Sequence, residues 1–184
     1  SLDSGVNNYK GEYLLLDAEE SLYTGYFHYG NDGNEKYSNW GGSDVYRKLN
    51  GSDFLNSSFS KIEQEQILNT RLKEHSLSYN GADYDVPASI RTAVDSYDAE
   101  CIDNKMYLLS LQEAVDLYDI AKPDIAKGET GDMKRWLRSA QKKNLNRSVI
   151  CLKRDRSYIQ PTYGTANYAE YGVSPAFSLD LTEV

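Results

Sequence analysis

Two histidines, one run of carboxylates and two cysteines are the residues in this 184-residue chain whose types could do chemistry. His28 and His75 have no further ligand at metal-binding spacing, so each reads as a structural or surface residue. Asp83, Asp85, Asp95, Asp98, Glu100 and Asp103 crowd one stretch. Paired carboxylates can share acid–base work or hold calcium. Their spacing fits no calcium loop, and a solvated acidic loop is the simpler reading. Asn31-Asp32-Gly33-Asn34 likewise has the residues of a turn that tolerates positive φ. Cys101 and Cys151 are open to two readings, buried thiols or one disulfide. Cys151 sits in Val149-Ile150-Cys151-Leu152, an apolar run that suits a buried strand thiol. The sequence contains no G-x-S-x-G elbow, no P-loop and no dinucleotide fingerprint. The expectation is a protein that is not an enzyme and uses no cofactor and no metal.

Tyrosine points elsewhere, because 16 Tyr stand against 4 Phe and 2 Trp. Tyr offers a large contact area and a polar tip, with only two torsions to freeze, which favours it at binding surfaces. Most of these rings are expected to cover sheet faces. A candidate ligand face remains toward the C-terminus, in Tyr158, Tyr163, Asn167, Tyr168 and Tyr171. Arg154 and Arg156 lie close by in sequence as hydrogen-bonding or stacking groups.

The elements that must position this face come from one domain, residues 1–184. Hydrophobic residues make up 40% and charged residues 26%, which is a globular balance. No stretch reaches the ~20 apolar residues of a membrane span. The net charge of −8 disfavours phosphate backbones, so no nucleic-acid partner is expected. The basic cluster from Lys134 to Arg156 is a local exception and reads as a solvated face balancing acidic neighbours. The chain opens on Ser1 and stops after a strand-like run, which suggests a trimmed piece of a longer protein.

Strands are expected at Tyr13-Leu14-Leu15-Leu16, from Tyr23 to Tyr29, and from Leu72 to Leu77. Ser43 can cap a short helix with Val45 and Leu49 on one face, closed by Asn50-Gly51. Ser60-Lys61-Ile62-Glu63 is a capping box that opens a second helix, with Ile62 and Ile67 facing the core. Residues 81–104 lack periodicity and read as a long surface excursion. Met106-Tyr107-Leu108-Leu109 reads as a buried strand, feeding a second capping box at Ser110-Leu111-Gln112-Glu113 and a helix to about Tyr118. Arg135 to Arg138 is a further strand. Ser148 to Leu152 and Tyr158 to Gln160 suggest a hairpin around Lys153-Arg154-Asp155-Arg156. From Val173 to Leu181 apolar and polar residues alternate, with Pro175 marking a sheet edge or bulge. Helices in the middle and strands at both ends define an α+β class. It is a mostly antiparallel sheet with two or three short helices.

Several of these residues also form an ordered set of motifs. Trp40-Gly-Gly-Ser43-Asp-Val-Tyr-Arg47-Lys-Leu49-Asn50 has a W-x-x-S-x-x-R-x-x-L-N pattern. Phe54, Phe59-Ser60, Glu63 and Ile67 follow, then Tyr107-Leu-Leu-Ser110 with Glu113-Ala114. Trp136-Leu-Arg-Ser139 and Tyr171-Gly-Val-Ser-Pro175-Ala176-Phe177 complete the set. The order resembles a family of uncharacterised bacterial domains of unknown function, common in surface and secreted proteins of Gram-positive gut bacteria. The resemblance runs from about Tyr9 to Leu181. It departs at Ser174, where the family usually has Arg in a G-V-R-P-A pattern. The layout is also similar to the C-type-lectin-like and formylglycine-generating-enzyme fold, an analogy of fold that does not fix function. Formylglycine-generating enzymes carry a close cysteine pair, which Cys101 and Cys151 do not match. The calcium-ligating E-P-N and W-N-D tripeptides of true C-type lectins are missing too. Trp40, Trp136 and Phe177 are expected as core anchors. Arg47 and Arg138 are expected to pair with buried carboxylates or carbonyls and so fix the packing.

The combined expectation is a non-catalytic recognition domain, extracellular or at the cell surface, that binds a glycan or a protein through the Tyr-rich C-terminal face. Three other readings stay open at this point. One is a retroelement-diversified variable binding protein on a lectin-like scaffold. Another is a hydrolase using the acidic-loop carboxylates. The last is a structural spacer in a larger surface protein.

Overall fold

The computed structural model describes residues 4–6, 13–18, 21–29, 40–77, 94–111, 113–114, 134–141, 148–155, 158–166 and 170–181. Short capped helices organise the middle of the chain. Trp40–Gly42 is one 3-10 turn, and α1 follows at Asp44–Leu49. The Ser43 hydroxyl accepts the Tyr46 N–H at 3.0 Å and donates to the Trp40 carbonyl at 2.7 Å, so one side chain caps α1 and closes the preceding turn. Val45 and Leu49 are buried on the inner face, as their spacing predicts. Asn50 ends α1 and then works across the fold. Its Oδ1 accepts the N–H groups of Lys105 and Met106, both at 3.1 Å, and its Nδ2 donates to the Met106 carbonyl at 2.8 Å.

Helix α2 spans Ser52–Ser58 and α3 spans Lys61–Gln66. The capping box of α3 is complete, with Ser60 N–H to Glu63 Oε2 at 2.7 Å and Glu63 N–H to Ser60 Oγ at 3.3 Å. Ile62 is not a core residue and is 70% exposed. The helix ends at Gln66, and Ile67, which is buried, already belongs to a strand, so helical spacing does not relate the two isoleucines.

The strands are β1 Ser4–Val6, β2 Tyr13–Asp17, β3 Tyr23–Gly25, β4 Ile67–Leu68, β5 Thr70–Leu77, β6 Val94–Asn104, β7 Lys134–Gln141, β8 Ser148–Asp155, β9 Tyr158–Thr165, β10 Tyr171–Val173 and β11 Ala176–Asp180. Among the described residues, eight of them form one sheet along β1-β5-β7-β10-β3, with β6 on β5, β8 on β7 and β9 on β8. Three more form a small sheet in the order β2-β11-β4. All named pairings are antiparallel except β10 with β7 and β5 with β7. This is the expected α+β class, with both hands of pairing in the larger sheet.

Differences in detail have physical causes. The run from Val173 to Leu181 is two strands, because the chain leaves the large sheet after Val173 and enters the small one at Ala176. Pro175, which has no N–H to give to a ladder, occupies the crossing, and its carbonyl accepts the Ala18 N–H at 3.0 Å. Only Tyr23–Gly25 of the expected second strand is extended and paired. Met106–Leu109 is buried as expected, but it joins the sheets through the bridge between Tyr107 and Ala176 and the Arg138 N–H, which donates to the Leu109 carbonyl at 3.0 Å, rather than as a strand in a ladder. Within the expected excursion, Val94–Asn104 is strand β6, paired along β5. Two register shifts in that pairing break the period of two that would have revealed it.

The core lies between the large sheet and the 40–50 segment, with Phe27, Trp40, Leu49, Leu72, Tyr107, Leu108, Trp136 and Val173 all at 1% exposure or less. Phe27 packs edge-on to Trp136 with ring centroids 5.7 Å apart. Phe177 is only partly buried, against the edge of Phe59 at 5.9 Å. Gly172 in β10 is required by close approach. A Cβ there would lie 2.1 Å from Ser21 Oγ, and that hydroxyl contacts the buried Ser174 hydroxyl at 3.2 Å.

Candidate functional site

The motif residues converge inside the molecule, where they brace the large sheet. Trp136, Leu137, Arg138 and Ser139 of β7 are all buried. Arg138 and Glu113 form an ion pair with both side chains 1% exposed. Nη1 donates to Oε2 at 2.5 Å and Nη2 to Oε1 at 3.1 Å, a bidentate fork. Nη1 also donates to the Leu108 carbonyl at 2.8 Å. Glu113 is at the same time the third residue of the capping box at Ser110, with Ser110 N–H to Oε2 at 2.9 Å and Glu113 N–H to Ser110 Oγ at 3.1 Å. Ser139 Oγ accepts the Leu111 N–H at 2.9 Å. Arg138 therefore has the packing role expected of it. Arg47 is exposed, donates to the Gly42 carbonyl at 2.5 Å and stands 3.6 Å from Asp44. It trims the start of α1 and pairs with nothing buried.

The surface next to this scaffold is aromatic. Tyr26 and Tyr29 follow β3, with ring centroids 5.1 Å apart at 46°, and Tyr29 is 69% exposed. Asp44, in the first turn of α1, fixes this segment by accepting the Tyr29 N–H at 2.7 Å. His28 Nδ1 lies 3.5 Å from the same carboxylate. The Glu170 carboxylate, which accepts from the Tyr26 hydroxyl, raises the Tyr26 pKa above the usual tyrosine value, helped by partial burial and by Tyr29. Tyr171 follows Glu170, opposite Gly25 in the β10–β3 register. Its ring stacks at 4.7 Å on Trp136, whose Nε1 donates to the Gly25 carbonyl at 2.8 Å. Lys134 Nζ donates to the Tyr171 hydroxyl at 3.3 Å and lies 5.0 Å from its ring centroid.

The expected ligand residues divide accordingly. Tyr171 is half-buried, on the Trp136 stack. Arg154, Tyr158 and Tyr163 lie in the β8–β9 hairpin, where Asp155 pairs with Tyr158 as the hairpin reading requires. Arg154 is opposite Ile159 and Tyr163 opposite Ile150, so these two share one face of the pair, and Tyr158 belongs to the other. The register thus does not gather all three on one face. Arg156, Asn167 and Tyr168 lie outside the described residues. Tyr26, Tyr29, Lys134 and Glu170 are the surface residues that sequence reasoning missed. Glu170 is the chain neighbour of Tyr171, whereas Tyr26, Tyr29 and Lys134 come near it only through the β3–β10–β7 pairing, which nothing in local spacing signals.

Of the acidic run, Asp95, Asp98, Glu100 and Asp103 have backbones in β6, while Asp83 and Asp85 lie outside the described residues. Cys101 is in β6 and Cys151 in β8, on opposite flanks of the β5–β7 pair. Among the described residues no three His, Cys, Asp or Glu side chains are grouped as metal ligands. No helix is long and apolar enough to cross a membrane among the described residues.

Tyr23, at the start of β3, carries a buried hydroxyl with no hydrogen-bond partner among the described residues, and Lys48 Nζ lies 3.5 Å over its ring. Burial pushes its pKa from 10.0 up to about 12. The folded state therefore holds this proton more tightly than the unfolded chain. The associated stability is intact below about pH 10 and is lost as pH rises toward about 12. Tyr23→Phe is expected to be neutral or stabilising by up to ~1 kcal/mol at pH 7, since it removes an unsatisfied hydroxyl. It should also flatten the alkaline loss of stability. Urea midpoints at pH 7 and pH 11 check both outcomes.

Fold and surface together define an α+β domain with a buried bidentate ion pair and an aromatic surface around Tyr26, Tyr29 and Tyr171. Residues 11–181 match the family described as Domain of unknown function (DUF6273), and the chain belongs to that family. No curated protein and no solved structure matches the chain.

Proposed function

We propose that this chain is a non-catalytic recognition domain, working outside the cell or at its surface, with a glycan or protein ligand held on the aromatic face around Tyr26, Tyr29 and Tyr171. The observation that carries the reading is the Tyr26–Tyr29 pair. A ring 69% exposed, held by a neighbouring ring at 5.1 Å and a backbone bond to Asp44, is pre-ordered for stacking. Pre-ordering lowers the entropy cost of binding. Tyr26 and Tyr171 extend the surface, and the C-terminal hairpin with Arg154, Tyr158 and Tyr163 adjoins it through β7. The lectin-like layout is a supporting analogy of fold only.

A glycan array run with and without calcium, beside a partner pull-down, tests this. Tyr29→Ala leaves the core untouched and is expected to weaken the bound ligand about tenfold, the size of one lost aromatic anchor. Full binding by both Tyr29→Ala and Tyr26→Ala would place the ligand elsewhere. Silence in both screens would favour a structural spacer.

A further inference from the structure

We infer that the ligand of this face is a protein, and that it presents an arginine whose guanidinium stacks on the Tyr26–Tyr29 pair and ion-pairs with Glu170. The inference rests on the recognition reading above and narrows it to one chemistry. The faces of tyrosine rings are negative and attract cations. Two neighbouring rings of this fold already hold one. Lys48 Nζ lies 3.5 Å from the Tyr23 ring centroid, and Lys134 Nζ lies 5.0 Å from that of Tyr171. Tyr26 and Tyr29 have no cation over either ring among the described residues, although Tyr29 is 69% exposed.

The charge beside these rings is negative. Glu170 is exposed and accepts the Tyr26 hydroxyl, and Tyr29 is close enough to act on the same phenol. Donation to a carboxylate polarises the phenol and leaves the Tyr26 ring richer in electrons, a better seat for a cation. Asp44 is a second carboxylate, engaged by the Tyr29 N–H at 2.7 Å and by Arg47 at 3.6 Å, with His28 Nδ1 at 3.5 Å. The nearby cations are occupied, because Arg47 also donates to the Gly42 carbonyl and Lys134 donates to the Tyr171 hydroxyl. No basic side chain among the described residues pairs with Glu170. A cation arriving over the rings therefore meets a carboxylate that no described residue neutralises. The chain's net charge of −8 draws a basic partner from a distance.

The geometry selects arginine among cations. With centroids 5.1 Å apart the two rings touch, so no group enters between them and a ligand lies over the pair. A guanidinium is planar, stacks on a ring and can fork its N–H donors onto a carboxylate at the same time. An ammonium is a compact point charge and does not combine the two. One cation on an exposed ring adds only about 2- to 5-fold in affinity, so the guanidinium must belong to a larger surface that makes further contacts. Tyrosine and arginine are the side chains that anchor protein interfaces.

Acetylated, amidated Gly-Arg-Gly and its citrulline and lysine counterparts test this by NMR titration, read on the Tyr26 and Tyr29 ring signals. Citrulline keeps the shape of arginine and removes its charge. Saturable shifts are expected with the arginine peptide, with affinity about tenfold lower for citrulline, about threefold lower for lysine, and falling as salt rises. Glu170→Gln and Tyr29→Leu should each lower arginine affinity about 3- to 5-fold. Glu65→Gln removes an exposed carboxylate on α3 and should change nothing. Thermal unfolding of each variant checks that it is folded. No binding of the arginine peptide, equal binding of the citrulline or lysine peptide, or wild-type affinity in both Glu170→Gln and Tyr29→Leu overturns the inference. An equal loss in Glu65→Gln does so too, since it would mean attraction to the acidic surface as a whole. Tighter binding of methyl glucosaminide, a sugar with one ammonium, would make the partner a basic glycan and also overturn it. A neutral glycan held through Tyr29 on the array, with no response to arginine, would leave the recognition reading standing while this inference falls. Silence in the titration, the array and the pull-down would end both.

Discussion

Arg138→Met is expected to lower the stability of the fold by about 3–5 kcal/mol, the range for removing one partner of a buried ion pair. Both side chains of the Arg138–Glu113 pair are 1% exposed, so water cannot solvate the carboxylate left behind. The Leu108 carbonyl loses its guanidinium donor as well. Domains of this kind are stable by about 5–15 kcal/mol, so the single change removes a large share of the total. Glu113→Leu should cost a similar amount, since it leaves the cation buried and opens the capping box at Ser110. The double replacement should cost clearly less than either single one, about 1–2 kcal/mol, because neither charge is then stranded. Urea unfolding of the four proteins gives the coupling directly. A loss below about 1 kcal/mol for Arg138→Met, with unchanged m, would show that the bidentate pair is not made in solution.

The pair also shows what can be read in a sequence and what cannot. The Ser110–Glu113 capping box is local and readable, as are the Ser43 and Ser60 caps, because each depends on residues three apart. That Glu113 would face Arg138 depends on how β7 docks against the 108–111 segment, which no window of sequence contains. The β8–β9 hairpin is similarly local, and its ends match at Asp155 and Tyr158. Strand β6 stayed hidden because two register shifts against β5 scramble its alternation. Ile62 was misplaced for a related reason, since α3 stops at Gln66 and Ile67 answers to the period of a strand. Of the candidate site, the Tyr-rich character of the stretch that holds Tyr171 is legible in the sequence. That Tyr26, Tyr29 and Lys134 stand near it is not, because only the β3–β10–β7 pairing brings them there.

Trp136→Ala should have an effect of similar size, about 3–5 kcal/mol, because it empties a fully buried indole site. The indole touches both the core and the base of the aromatic face. On one side it meets Phe27 at 5.7 Å, inside the core. On the other it supports Tyr171 at 4.7 Å, and its Nε1–H holds the Gly25 carbonyl at 2.8 Å, where β3 turns toward Tyr26 and Tyr29. Trp136→Phe keeps most of the packing and loses the hydrogen bond, so about 1–2 kcal/mol is expected. The two variants separate stability from the shape of the aromatic face. If the stack under Tyr171 is what orders that face, Trp136→Ala should weaken ligand binding even at temperatures where it is fully folded, and Trp136→Phe should weaken it much less. Denaturation midpoints and binding measured on the same samples make the comparison. Equal binding by both folded variants would mean that Tyr26 and Tyr29 hold their geometry through Asp44 and Glu170 alone.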